Sequence, residues 1–328
     1  MTDQALTDQA LTDQALTRDW QASFDLDPGL LLGVHRHGGG DPTFRNDPDG
    51  SIWKTSLTPA GPATLRVTAR RASASPVTAG QPGTSTQVTA RAWGPGAGWI
   101  LESLPDLLGA RDQPGDFRPA HPLLRELAFR HAGGRIGRTG RVLEALVPAV
   151  LEQKVVGLEA FRAWRLLLRR YGLPAPGPAP AGLRVCPPAA TWAAVPSWEW
   201  HRAGVEGVRA ATIRGAAKVA GRLEEIVALS ADEADRRLRA LPGIGVWTSA
   251  EVRQRACGDP DAVSVGDYNL PGAVGWALAG RKVDDAGMLE LLAPYAGHRH
   301  RAARLIELSG IHPPRRGPRN SVRDYRSF

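Results

Sequence analysis

Leu241-Pro242-Gly243-Ile244-Gly245-Val246-Trp247-Thr248 constrains this chain more than any other stretch. A proline and two glycines lie close together between two helical patterns. That composition reads as a tight hairpin joining two helices. Ser230 is placed as N-cap of the first helix, over 231–240, with Glu233 at the capping-box position. Pro242 and Gly243 end that helix, and Thr248 is placed to cap the next, over 248–256. Gly243 and Gly245 permit positive φ and a close approach of backbone to a ligand. The N–H groups around Gly243, Gly245 and Val246 then point outward at a helix N-terminus, a setting that favours an anion such as phosphate. The plainer reading of the string alone is an ordinary helix–turn–helix corner.

A single carboxylate follows at a suggestive distance. Asp267 stands nineteen residues after Thr248, in Val265-Gly266-Asp267-Tyr268. It precedes a helix that contains Pro271, Val274, Trp276 and Leu278, so it suits an N-cap. A capping aspartate beside a cleft can also do chemistry. Glu251, one turn after Trp247, is a candidate for the same cleft, a solvated position being its plainer reading. Asp261 reads as a turn residue.

Charge points to a polyanionic partner. Residues 1–115 carry nine Lys/Arg against twelve Asp/Glu, and residues 116–328 carry thirty-two against twenty-one. A basic C-terminal two-thirds is the electrostatic footprint of a phosphate-backbone binder. Two cysteines, Cys186 and Cys257, exclude a disulfide scaffold, a cysteine-based zinc site and a four-cysteine cluster. No metal or other cofactor is expected. There is no run of eighteen apolar residues and no basic-then-apolar leader, so a cytoplasmic protein is the expectation.

The organisation is uneven. Residues 2–16 are three copies of Thr-Asp-Gln-Ala-Leu, and residues 1–17 read as a disordered tail. Residues 18–112 read as a mixed α/β domain with an antiparallel sheet. Short β-rich runs at 50–55, 64–68 and 87–93 alternate with Gly/Pro/Asp turns, and a helix is placed near Leu101–Leu108. From residue 113 onward the pattern is mainly helical. Leu143, Leu146, Val147, Val150 and Leu151 share a helical face, with Pro148 set to kink or restart it. Residues 174–188 read as a Pro/Ala/Gly linker. Further helices are placed near 189–195, 208–229, 271–279, 284–294 and 298–309, ahead of a basic tail.

These residues resemble the helix–hairpin–helix DNA glycosylase superfamily, and within it the alkylation-repair, 3-methyladenine DNA glycosylase II type. The likeness covers roughly residues 118–310 and is most specific over 241–268. In that branch the hairpin ends in Trp-Thr, as Trp247-Thr248 does, and the catalytic acid precedes a tyrosine, as Asp267 precedes Tyr268. Val150-Leu151-Glu152-Gln153-Lys154-Val155 is similar to the segment that carries a glutamine beside the residue wedged into the duplex. Lys154 departs from the apolar wedge of that branch. Bifunctional relatives place a Schiff-base lysine where this chain has Trp247, so no lyase activity is expected.

The resemblance implies a mainly α fold: two helical subdomains with a cleft between them, preceded by a smaller mixed α/β domain. It implies a monomer acting on double-stranded DNA with damaged bases, associated with the bacterial nucleoid. Asp267 would be the catalytic residue; Trp247, Tyr268 and Glu251 would wall the base pocket. Gly243, Ile244, Gly245, Val246, Thr248, Gln153 and Lys154 would contact DNA. The base is pulled from the stack, and one carboxylate stabilises the oxocarbenium-like sugar while orienting water. Two other readings stay open: a glycosylase for deaminated or oxidised bases, and a damaged-DNA-binding protein without catalysis.

Overall fold

The computed structural model describes residues 14–71 and 85–314. Its fold is mainly helical with a small sheet domain. Five antiparallel strands come first: β1 (Leu16–Ala22), β2 (Phe44–Asn46), β3 (Ile52–Thr58), β4 (Gly61–Arg71) and β5 (Thr86–Trp93), in the spatial order β1-β5-β4-β3-β2. Alternation drives the sheet: Leu65, Val67, Val88, Ala90 and Ala92 are all buried, with Leu65 facing Ala92 and Val67 facing Ala90 across the register. The short helices Pro28–Gly33, Ala97–Glu102 and Leu104–Leu107 cover this face and share its core. One helix was expected at 101–108; the chain breaks at Ser103, whose hydroxyl instead donates to the Trp99 carbonyl.

The expected tail ends earlier than its repeat suggests. Its first thirteen residues lie outside the described residues, but Leu16 and Thr17 open β1 and pair with Ala92 and Arg91. The β5 edge offers free backbone groups, and pairing outweighs a polar composition. The basic tail from Arg315 onward also lies outside the described residues.

Two helical cores follow. One is built on the helices Val142–Leu151, Gly157–Tyr171 and Gly207–Lys218, together with the hairpin residue Ile244. The other joins the helix Pro122–Arg130 to Leu270–Ala279, Asp285–Leu292 and Arg299–Ser309. Pro148 does not restart the first helix, which runs through it as one element to Leu151. Its start is capped by Glu224, whose carboxylate accepts from the N–H groups of Val142 and Leu143. The expected helix at 208–229 breaks at Val219 into Gly207–Lys218, Ala220–Glu224 and one 3-10 turn. Residues 174–188 are not a free linker. They pair briefly as Leu173–Pro174 with Arg184–Val185, and Leu183 packs on Trp53 and Trp93 of the sheet. Among the described residues no helix is long and apolar enough to cross a membrane.

Candidate active site

The hairpin forms as its composition requires. Ser230 accepts from the Glu233 N–H and caps the helix Ala231–Arg239. Gly243 takes φ +84°, a left-handed conformation that glycine reaches without strain. Two details differ from expectation. Gly245 lies at φ −94°, in the extended region, so its value is openness and not backbone handedness: a Cβ there would meet nothing within 4 Å. Thr248 caps nothing. The second helix starts at Val246 with Gly245 as its N-cap, which leaves Thr248 buried in the first turn.

Ile244 anchors the hairpin instead of presenting it. Its side chain is buried and its N–H donates to the Leu241 carbonyl. Among the described residues, no hydrogen bond engages the N–H groups of exposed Gly243 and Gly245. Gln153 explains the geometry of the preceding loop. Its side-chain amide donates to the Gly243 carbonyl at 3.0 Å and to the Thr248 hydroxyl at 2.8 Å. The glutamine is thus a clasp that ties its loop to the hairpin. Lys154 next to it is exposed, at φ 53°. It is the only non-glycine residue with positive φ among the described residues.

Asp267 faces a cleft of about 230 Å³ lying between all three cores. Its Oδ1 accepts from the N–H groups of Asn269 at 2.7 Å and Leu270 at 2.9 Å, capping the helix Leu270–Ala279. Its Oδ2 accepts from the indole N–H of Trp247 at 3.3 Å. The hairpin tryptophan and the downstream carboxylate therefore touch. Glu251 also lines the cleft, but its carboxylate is engaged: it accepts from Ser264 and pairs with Arg255 at 2.6 Å. Burial works against the Arg255 charge, and Glu251 with Glu152 outweighs it, raising that guanidinium. Tyr268 does not line the cleft; it is 91% exposed, turned to solvent beside Asp267.

Several cleft residues carried no sequence signal of their own. Leu30, Leu31 and Val34 bring an apolar wall from the sheet domain, and Arg255 donates to the Val34 carbonyl at 3.2 Å. His300, Ala303, Arg304 and Glu307 line the cleft from the helix Arg299–Ser309. Their i, i+3, i+4, i+7 spacing was available as a polar stripe. Burial, aided by Arg304, Arg255 and Arg301, pushes the His300 imidazole down to about 3. Desolvation raises the Glu307 carboxyl against the pull of Arg304, and Glu251 and Asp267 raise it further. Asp261 is more than a turn residue: it accepts from the N–H and Nε of Arg299, both at 2.9 Å, which pins that helix to the loop leading to Asp267.

No protein-family model matches the chain. A stretch of 155 residues, 46% of the chain, is 34% identical to the "probable bifunctional transcriptional activator/DNA repair enzyme AlkA" of Mycobacterium tuberculosis. The match covers 30% of that relative's length. The 3-methyladenine DNA-glycosylase of Archaeoglobus fulgidus superposes with TM-score 0.67 and 17% identity, over 89% of this chain and 98% of that one. The apo 8-oxoguanine glycosylase/lyase of Clostridium acetobutylicum does so with TM-score 0.63 and 11% identity, over 90% and 99%. At such identities the structural likeness is one of fold. The chain therefore has the fold of these DNA glycosylases, and over 46% of its length its sequence is similar to part of the AlkA relative.

Proposed function

We propose that the protein is a monofunctional DNA glycosylase of base excision repair. It hydrolyses the N-glycosidic bond of an extruded alkylated base, with Asp267 as catalytic residue and double-stranded DNA as partner. The observation that carries this reading is the direct contact between Asp267 and Trp247 in one cleft beside the hairpin. An indole face stacks on an extruded base, worth ~1–3 kcal/mol, and favours the cationic ring of an N-alkylated purine.

The chemistry follows from charge. As the C1′–N bond breaks, its electron pair leaves with the base and positive charge grows on the sugar. A carboxylate ~4 Å away at an effective dielectric of ~20 stabilises that charge by about 4 kcal/mol, roughly a thousandfold in rate. Water then bonds to C1′ and gives its proton to Asp267. An alkylated purine departs as a neutral base, so one carboxylate suffices. None of the four lysines, Lys54, Lys154, Lys218 and Lys282, lines the cleft, which supports hydrolysis without a Schiff base. The hairpin N–H groups suit a backbone phosphate, which positions the duplex without reading sequence.

The test is base release from methylated duplex DNA by the wild type and Asp267→Asn, with borohydride trapping in parallel. Release by the wild type, a drop of about a thousandfold in the variant and no trapped adduct are expected. Equal release by both proteins overturns the role of Asp267. DNA binding with no release of any damaged base by either points to a non-catalytic damage-binding protein. Release of deaminated or oxidised bases alone keeps the enzyme and replaces the substrate class.

A further inference from the structure

The cleft contains seven charged side chains, and five are already engaged. Glu251 is held by Ser264 and Arg255, Glu152 by His37, Asp267 by Trp247 and its capping bonds, and Arg135 by the carbonyls of Gly109 and Asp112. Arg304 and Glu307 are different. Among the described residues, no hydrogen bond engages either head group, and their nearest charged approach is to each other at 3.7 Å. They stand one turn apart on a helix face that lines the cleft, and their side chains are 33% and 49% exposed. The Asp261–Arg299 pair fixes that helix relative to the loop carrying Asp267.

We propose that Arg304 and Glu307 read the edge of the extruded base and select guanine derivatives over adenine derivatives. This rests on the glycosylase reading above and names the substrate class of the same cleft. Donor and acceptor complementarity distinguishes the two purines. A guanidinium only donates and a carboxylate only accepts. Guanine sets two acceptors, O6 and N7, beside two donors, N1–H and the N2 amino group. It therefore offers two partners to Arg304 and two to Glu307. In the same pose adenine turns its one amino group toward Arg304 and presents the N1 lone pair and C2–H to Glu307, so both charged heads are left short in a partly desolvated cleft. Alkylation at N7 removes one acceptor and leaves the other three groups. The carboxamide of glutamine, by contrast, matches adenine bidentately.

The experiment measures release of 7-methylguanine and of 3-methyladenine from methylated duplex DNA, under single-turnover conditions. The wild type is compared with Arg304→Ala, Glu307→Ala and Glu307→Gln, each first shown to melt as the wild type does. The readout is the guanine-to-adenine rate ratio relative to wild type, in which the different intrinsic lability of the two bases cancels. Each alanine variant should lower the ratio ten- to a hundredfold, and Glu307→Gln should move it further toward adenine than Glu307→Ala. A ratio left unchanged by all three variants, with both rates falling together, means a merely structural ion pair and overturns the proposal. If the wild type releases neither base nor any other, the glycosylase reading itself fails and takes this one with it.

Discussion

Gly243→Ala measures how firmly the hairpin is built into the helical core. The residue sits at φ +84°, where an L side chain costs ~1 kcal/mol. A Cβ there lands 2.0 Å from Oγ1 of Thr212 and 3.1 Å from its Cβ and Cγ2. Thr212 is buried, and its hydroxyl donates to the Val208 carbonyl at 3.0 Å. Turning the hydroxyl away forfeits ~1 kcal/mol, and the remaining overlap adds ~1–3 kcal/mol. The expected loss is about 3–5 kcal/mol in total. Urea denaturation of wild type, Gly243→Ala, Thr212→Ala and the double variant gives the assay. Thr212→Ala removes the atoms that clash but leaves the backbone penalty. The double variant should therefore be more stable than the sum of the single losses by ~2–4 kcal/mol, the hydroxyl and overlap terms together. Additive losses, with a coupling below ~0.5 kcal/mol, would refute the contact and with it the packing of the hairpin on the helix Gly207–Lys218.

Gly245→Val makes the opposite test two residues away. Its backbone is extended and its Cβ meets open space, so stability should stay within ~0.5 kcal/mol. Affinity for damaged and undamaged duplex should fall by the same factor in fluorescence anisotropy; unchanged affinity would remove the hairpin from the DNA contact. Gln153→Ala deletes the clasp to Gly243 and Thr248 and should cost ~1–3 kcal/mol, with faster amide exchange confined to the hairpin and its neighbouring loop. Trp247→Ala should lower excision more than binding, by the ~1–3 kcal/mol of a lost stack; an equal loss in both would place the indole in the scaffold. His300 gives a pH signature. Its imidazole is held at about 3 in the fold against 6.5 when free, so the unfolded chain takes up the proton first. Stability should fall as pH drops from 6.5 toward 3, by at most about 1.4 kcal/mol per unit, and His300→Gln should flatten that slope in urea melts at pH 7 and pH 5.

The hairpin and Asp267 were legible because their signals are local. Glycine handedness, a serine cap and an acid ahead of a helix are decided within a few residues of sequence. The cleft was not legible as a whole, because it is assembled by packing between distant segments. Leu30, Leu31 and Val34 belong to no motif, and they become a cleft wall only where the sheet domain docks beside Arg255. Tyr268 shows the reverse error: adjacency to Asp267 in sequence says nothing about which side of the loop faces inward, and here the ring faces solvent. Glu251 was placed at the correct cleft, but its occupation by Arg255 and Ser264 depends on partners four and thirteen residues away whose approach only the fold decides. β1 was misjudged for a similar reason. A polar repeat has no strand signal, yet Leu16 and Thr17 complete a sheet edge that the rest of the chain had already built.

The two oxygens of Asp267 have opposite neighbours' demands in common: every group that approaches them is a donor. Two backbone N–H groups reach Oδ1 and an indole N–H reaches Oδ2. A carboxamide cannot satisfy that set. With its oxygen kept on the helix cap, its NH2 would confront the indole N–H, donor against donor. Flipped, it would confront the two backbone N–H groups instead. Hydrogen-bond parity therefore favours a carboxylate here before any substrate arrives, and drift to asparagine at this position would disturb either the helix start or the tryptophan as well as remove the charge.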